Sequence, residues 1–356
     1  MKKISVIGTG VIGSGWIIRF LAHDKKVTAY DKDLKIKKKI IAEIKRTWPY
    51  VKKLFNKKKL KLKNFKYVTS LKEAVKDADF IQECAPENYK LKTKLMEIIG
   101  KYSKSNAIIS SSSSGLLPSK IYSKCKNPSR AIIAHPFNPV YMIPGVELVP
   151  GKKTNKNTIN IANKFYKSIS MNPIVLKKEL PGYLSDRLQE ALWREALHIV
   201  NEGYATTKDL DRAIEDGPGL RWSLMGTFLT FHLAGGKAGM KHMLEQFGPA
   251  LKLPWTKLKA PKLSKKLSSR VITGTRRQAK GKSGMKHMLE QFGPALKLPW
   301  TKLKAPKLSK KLSSRVISGT RQQAKGKSVA MISNIRDEYL VNLQKLRKKY
   351  ENKIRK

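Results

Sequence analysis

The stretch that most constrains this chain lies at its start, where Lys3-Ile4-Ser5-Val6-Ile7 runs directly into Gly8-Thr9-Gly10-Val11-Ile12-Gly13. The first five residues read as a short buried strand, and the apolar run from Trp16 to Ala22 reads as a helix opening straight after the glycines. A G-x-G-x-x-G between a strand and a helix is a phosphate cradle. Gly8 permits the tight turn, Gly10 lets the backbone approach a pyrophosphate, and Gly13 lets the helix pack close to the strand. The helix N-terminus, around Val11 and Ile12, then turns its free amides toward the phosphates. The next strand-like run, Lys26-Val27-Thr28-Ala29-Tyr30, ends in Asp31, eighteen residues beyond Gly13. An acid there accepts hydrogen bonds from an adenosine ribose and repels a 2′-phosphate, so the expected cofactor is NAD and not NADP.

The alternation continues. Asp33 to Lys59 is a lysine-rich helical stretch with Ile36, Ile40, Ile41, Ile44 and Trp48 at helical spacing. Asp79 to Ala85 reads as a strand, Pro86-Glu87-Asn88 as the start of a helix, and Ala107-Ile108-Ile109 as a further strand. Five serines follow, Ser110 to Ser114. A serine run can be a linker. Between a buried strand and Leu116-Leu117-Pro118, the reading adopted is a cleft loop presenting one hydroxyl. Ala131 to Ala134 then delivers His135, and a helix from Ile159 to Ile169 and a strand from Pro173 to Leu176 complete a βα-alternating domain. The expected class is α/β, with a Rossmann-type parallel sheet over residues 1–181. One amphipathic helix, Tyr183 to Val200, opens an all-α second domain over 182–356.

That second domain carries an oddity. Residues 239–283 and 284–328 are tandem copies of 45 residues, differing only at Thr273 against Ser318 and Arg277 against Gln322. Helical repeats of this length normally diverge and number three or more. Near-identity marks instead a recent in-frame duplication or an error of sequence assembly. The first copy is expected to fill the native position, because Gly235-Gly236 leads straight into it. The second is then an insertion, which is tolerable because loop-closure cost grows only logarithmically with length.

Lysine and arginine number 75 against 25 acids, a formal charge of +50. Such a charge fits either a polyanion partner or compositional drift toward lysine. The lysines are spread over nearly every segment, without a zinc-finger or aromatic-basic RNA signature. Drift is the reading adopted, and no specific nucleic-acid partner is expected. The chain has no run of about 18 apolar residues, so no membrane span is expected. Cys84 and Cys125 are the only cysteines. They give neither a disulfide framework nor a metal cluster, and a reducing, cytoplasmic setting is expected.

The chemistry centres on Ala134-His135-Pro136-Phe137-Asn138-Pro139, with Glu147 twelve residues after the histidine in Val146-Glu147-Leu148-Val149. On neighbouring strand-like runs, a carboxylate can hold one imidazole N–H and leave the other nitrogen free to take a proton near neutral pH. A histidine before Pro-Phe is also commonly a packed core residue. The dinucleotide fingerprint upstream favours the catalytic reading.

With these motifs, Ala85-Pro86-Glu87-Asn88 and Pro181-Gly182-Tyr183, the chain resembles the 3-hydroxyacyl-CoA dehydrogenase superfamily over nearly its whole length. Ser113-Ser114-Gly115-Leu116-Leu117-Pro118, the Ala191 to Leu197 stretch, Gly219-Leu220-Arg221-Trp222 and the Phe247 to Lys252 stretch are similar to its carnitine-oxidising branch. The resemblance implies a homodimeric, NAD-dependent oxidoreductase acting on the secondary alcohol of a small carnitine-like substrate. A 3-hydroxyacyl-CoA or gulonate-type dehydrogenase is the alternative within enzymes. A non-catalytic NAD-binding relative, like the lens lambda-crystallins, is the alternative outside them. The resemblance implies His135 as base, Glu147 as its partner, and Ser114 and Asn138 as the groups that hold the substrate oxygen. Ala85 and Glu87 join Gly8, Gly10, Val11, Ile12, Gly13 and Asp31 around the cofactor. Asp186 stands where acyl-CoA members carry asparagine, and its charge suits a cationic substrate. Trp193, Trp222 and Phe231 are either aromatic faces for a trimethylammonium head or helix-packing core. Arg221 is either a bidentate partner of the substrate carboxylate or a structural cap.

Overall fold

Eight strands form one sheet: β1 (Lys3–Ile7), β2 (Lys26–Tyr30), β3 (Phe65–Val68), β4 (Phe80–Glu83), β5 (Ile108–Ser111), β6 (Ala131–Pro136), β7 (Gly145–Pro150) and β8 (Asn172–Val175). The computed structural model describes residues 1–57, 59–223, 226–235, 238–249, 334, 337–346 and 349. All but the start of the two tandem copies, and so the expectation that the first fills the native position, lies outside the described residues. The chain divides into two compact units, residues 1–189 with 335–341 and residues 190–334 with 342–356.

The strand order is β3-β2-β1-β4-β5-β6-β7-β8. The first six strands run parallel, in the order of a dinucleotide-binding sheet. The Rossmann-type parallel sheet is present as expected, and it is extended at one edge, where β7 is antiparallel to β6 and β8 runs parallel to β7. The cause is chain length. A parallel return needs a crossover of a dozen or more residues, and residues 137–144 are too few.

The central strands β1, β4, β5 and β6 bury both faces. On one side Ile4, Val6, Ala29, Phe80, Ile108, Ile132 and Ala134 pack with α1 (Val11–Ala22), α2 (Ile36–Phe55) and α6 (Lys156–Ser168). On the other, Ile7, Ile81, Ile109, Ala131 and Ile133 pack with α3 (Leu71–Val75), α4 (Tyr89–Tyr102) and α5 (Pro118–Ile121). In α2, Ile40 and Ile44 are buried and Ile36 and Trp48 pack at the margin, as their spacing predicts. The helix stops short of Lys59 because Asn56 takes the left-handed conformation, φ 51°, that ends many helices.

Arg19 on α1 is charged yet wholly buried. Its Nε donates to Val140 O at 2.7 Å and its Nη2 to Ile143 O at 3.0 Å. Its Nη1 donates to Ile169 O and Ser170 O, each at 3.0 Å. Val140 and Ile143 lie in the short connection from β6 to β7, so one guanidinium fixes the helix behind the glycine turn to that connection. A later part of the same unit packs at the same place: Tyr141 donates its hydroxyl to the buried Asp337 at 2.7 Å.

In the second unit α7 (Ser185–Glu202) continues from the first, followed by α8 (Thr207–Glu215), α9 (Pro218–Trp222), α10 (Thr227–Ala234) and α11 (Met240–Phe247). Among the described residues its regular structure is helical throughout. None of the described helices is long and apolar enough to cross a membrane.

Arg19→Met keeps an apolar stem but strips four carbonyls of their donor. At about 1 kcal/mol or more for each unmet partner, the variant should lose roughly 3–5 kcal/mol. A denaturant titration reads this directly, and a loss below about 1 kcal/mol would contradict the anchoring role.

Candidate active site

The strand order reverses between β1 and β4, and a sheet of this kind takes a nucleotide in the crevice past those carboxyl ends. Gly8 leaves β1 at φ +89°, where a Cβ would lie 2.9 Å from the Cys84 backbone. A Cβ on Gly13 would meet Gly8 O at 2.0 Å, whereas around Gly10 nothing lies within 4 Å. The motif closes on itself at both ends and leaves open space at its middle glycine, the N-cap of α1. Val11 is exposed and Ile12 half-buried in the first turn. Asp31 Oδ2 accepts from Thr9 N at 3.0 Å and Thr9 Oγ1 at 2.7 Å, which sets the acid against the glycine turn. A backbone cradle with a carboxylate at its rim suits the pyrophosphate and adenosine ribose of NAD.

Beside it lies a buried ion pair that the sequence reading missed. Lys92 Nζ donates to Glu83 Oε1 at 2.8 Å, to Glu83 Oε2 at 3.1 Å and to Ala85 O at 2.9 Å. Ser111 Oγ adds a 2.5 Å bond to Glu83 Oε2, and Ala85 N one of 2.6 Å to Oε1. The signal was present. An acid ending an apolar strand and a lysine on the inner face of a helix are rarely buried unless paired.

The serine run divides. Ser110 and Ser111 belong to β5, so the loop is shorter than expected. Ser110 Oγ lies 2.9 Å from Tyr166 Oη, and Ser112 Oγ accepts from Trp16 Nε1 and Gln82 Nε2. Ser113 is buried as well, and only Ser114 of the five is exposed. Glu87, expected at the cofactor, accepts from Ser113 Oγ, Ser114 N and Gly115 N. Burial pushes the Cys84 thiol up to about 12.

His135 and Glu147 are directly opposed in the antiparallel register of β6 and β7. The imidazole Nδ1 donates to Glu147 Oε2 at 2.8 Å. Oε2 also accepts from Ser185 Oγ at 2.6 Å, and Oε1 from Leu184 N at 2.9 Å and Ser185 N at 3.0 Å. Those amides open α7, so the positive end of a helix faces the carboxylate. Gly182 at φ +70° and Tyr183 at φ +46° turn the chain to bring them there. A left-handed backbone costs a bulky residue roughly 1–2 kcal/mol. Tyr183 is held in place by burial and by a 2.7 Å bond from its hydroxyl to Leu116 O. The sequence reading began this helix at Tyr183 and missed Ser185, although serine is a residue type favoured where a helix opens.

The second imidazole nitrogen, Nε2, lies 3.8 Å from Asp186 Oδ2. The Phe137 and Tyr183 rings stand 6.0 and 5.6 Å from the imidazole. Asn138 is exposed just past β6. The structure therefore brings His135, Glu147 and Asp186 together, and joins Ser114 to Glu87. Trp193 on α7, and Arg221 and Trp222 on α9, belong to the second unit, as does Phe231. Trp193, Trp222 and Phe231 are exposed. Among the described residues no cluster of His, Cys, Asp or Glu could hold a metal ion.

Burial alone would raise the Glu147 carboxyl. The bonds from His135, from the Ser185 hydroxyl and from the Ser185 and Leu184 amides outweigh it and hold the group below its ordinary range. A carboxyl lowered on folding stabilises the fold above its unfolded value and loses that contribution as pH falls through its folded value. Glu147→Gln should therefore lower the thermal midpoint at neutral pH. Its deficit should shrink below about pH 4. A deficit that stays constant with pH would contradict this account.

Comparison with known proteins fits this geometry. Residues 3–180 match the family model of the 3-hydroxyacyl-CoA dehydrogenase NAD binding domain, and residues 182–274 that of the 3-hydroxyacyl-CoA dehydrogenase C-terminal domain. An L-carnitine dehydrogenase of Oceanobacillus iheyensis is 53% identical over 274 residues, 77% of this chain and 89% of that protein. One from Bacillus cereus is 51% identical over 278 residues, covering 78% and 85%. Among solved structures, an NAD+-dependent 5-formyl-3-hydroxy-2-methylpyridine 4-carboxylic acid 5-dehydrogenase shares the fold at a TM-score of 0.68 and 20% identity, covering 98% of this chain and 99% of its own. By both of its family models and by relatives at half identity, the chain belongs to the 3-hydroxyacyl-CoA dehydrogenase family, with that family's NAD-binding domain at its N-terminus.

Proposed function

We propose that the chain oxidises the C3 hydroxyl of L-carnitine, with residues 1–181 holding NAD and residues 182–356 serving substrate binding and dimerisation. The observation that carries the chemistry is the buried His135–Glu147 pair. Its Nδ1 is committed to the carboxylate, which leaves Nε2 as the nitrogen that can take a proton. NAD, when bound, supplies the acceptor for the C3 hydride. His135 removes the hydroxyl proton, and Glu147 stabilises the imidazolium that results. The exposed Ser114 and Asn138 hold the oxygen as it becomes a carbonyl.

The carnitine reading draws on the relatives and on Asp186. A carboxylate 3.8 Å from Nε2 is suited to the quaternary ammonium carried one carbon from the carbinol, and ill suited to an acyl-CoA thioester. Trp193 and Trp222 are the aromatic faces proposed for the same cation, a contact worth about 2 kcal/mol when desolvated. Arg221 is the proposed partner of the substrate carboxylate. The family implies a homodimer, which sedimentation would test. Two free cysteines suit a reducing compartment, and we place the protein in the cytoplasm; recovery of a secreted form would contradict that.

The test is NADH formation with L-carnitine, D-carnitine and 3-hydroxybutyryl-CoA, using the full chain and one lacking 284–328. Turnover of L-carnitine alone by both chains is expected. His135→Ala should lower kcat/KM by about 10²–10⁴-fold. Turnover of the acyl-CoA alone would overturn the substrate, and an unaffected His135→Ala would overturn the base.

A further inference from the structure

The geometry points to Glu87 as the residue that positions Ser114, a role we propose in place of the cofactor contact that the family resemblance implies. One oxygen, Oε1, gathers three donors: Ser113 Oγ at 2.5 Å, Ser114 N at 2.9 Å and Gly115 N at 3.2 Å. Ser113 Oγ in turn accepts from Leu116 N at 3.3 Å. The backbone from 113 to 116 is thus folded around a single carboxylate. With the amides on both sides of the Ser114 Cα held, only its side-chain torsion is left to aim the hydroxyl.

Glu87 is itself fixed from behind. Its Oε2 lies 3.6 Å from Lys92 Nζ, and that ammonium is buried and anchored on both Glu83 oxygens and on Ala85 O. From the opposite side, Gly182 N donates to Gly115 O at 3.3 Å and Tyr183 Oη to Leu116 O at 2.7 Å. The loop is clamped between the residues just past β4 and the segment that leads into α7, whose first amides hold Glu147. Without the Glu87 carboxylate, two amides and a hydroxyl must turn to water, and the loop is free to rotate Ser114 away.

This inference rests on the proposed role of Ser114, and the experiment separates the two. Steady-state kinetics, NAD titration by calorimetry and amide hydrogen exchange are measured on Ser114→Ala, Glu87→Ala, Glu87→Gln and the Ser114→Ala/Glu87→Ala pair, each confirmed folded by its thermal transition. Loss of one donor to a developing oxyanion costs about 10²-fold in kcat, and Ser114→Ala should show that order. Glu87→Ala should match it, with NAD affinity unchanged and exchange protection lost at Ser114 and Gly115. The pair should be no slower than Ser114→Ala alone, because both changes remove one interaction. Glu87→Gln, which keeps an acceptor oxygen, should restore most of kcat and the protection. Weakened NAD binding with kcat intact in Glu87→Ala would overturn the inference in favour of a cofactor contact. Additive losses, or retained protection in Glu87→Ala, would overturn it too. A silent Ser114→Ala would overturn the proposed role of Ser114, and with it any catalytic meaning of the clamp.

Discussion

Glu147 has no exposed surface and yet is kept ionised, because its two oxygens receive four donors from two separate parts of the chain. Removing any of them would leave a buried charge short of a partner, which is among the more costly local defects a protein can carry. The requirement reaches outward. The carboxylate meets His135 only because β7 returns antiparallel in this register. A slip of one residue would turn Glu147 to the other face of the sheet. It meets the start of α7 only because Gly182 and Tyr183 are left-handed in succession. Hydrogen bonds to a charged group are worth about 1.5–3 kcal/mol each, enough to offset the strain at Tyr183.

The same segment ties the two sides of the crevice together. Gly182 and Tyr183 hold Gly115 and Leu116 on the serine loop, while the next two residues hold Glu147. Glu87 holds that loop from the far side. Arg19 pins the β6–β7 connection to the helix behind the glycine turn. The proposed base, the proposed oxygen-binding hydroxyl and the dinucleotide cradle are thus linked through the first unit by hydrogen bonds that each have a main-chain atom at one end.

Much of this was legible. Short apolar runs and glycine spacing placed β1, β2 and the cradle, because a parallel strand and a phosphate turn each tolerate few residue types. His135 and Glu147 were legible as a pair because each follows or interrupts an apolar run. Other features depend on partners distant in sequence and leave little trace in it. Glu83 and Lys92 read as an ordinary acid and lysine until the sheet buries both. Arg19 looks like one more cation in a chain of 75, and its carbonyl partners lie more than a hundred residues away. The antiparallel return of β7 could have been found by counting residues 137–144. The short β3 lies among lysines that mask its pattern.

The most direct test of the central claim is nitrogen-15 NMR of the His135 ring at neutral pH, assigned by loss of its signals in His135→Asn. Glu147 can only accept, so the account places the proton on Nδ1 and leaves Nε2 bare beside Asp186. That pattern would show an imidazole held ready to take a proton. A proton on Nε2 with Nδ1 bare would mean that Glu147 does not fix the ring, and the account of the base would fail.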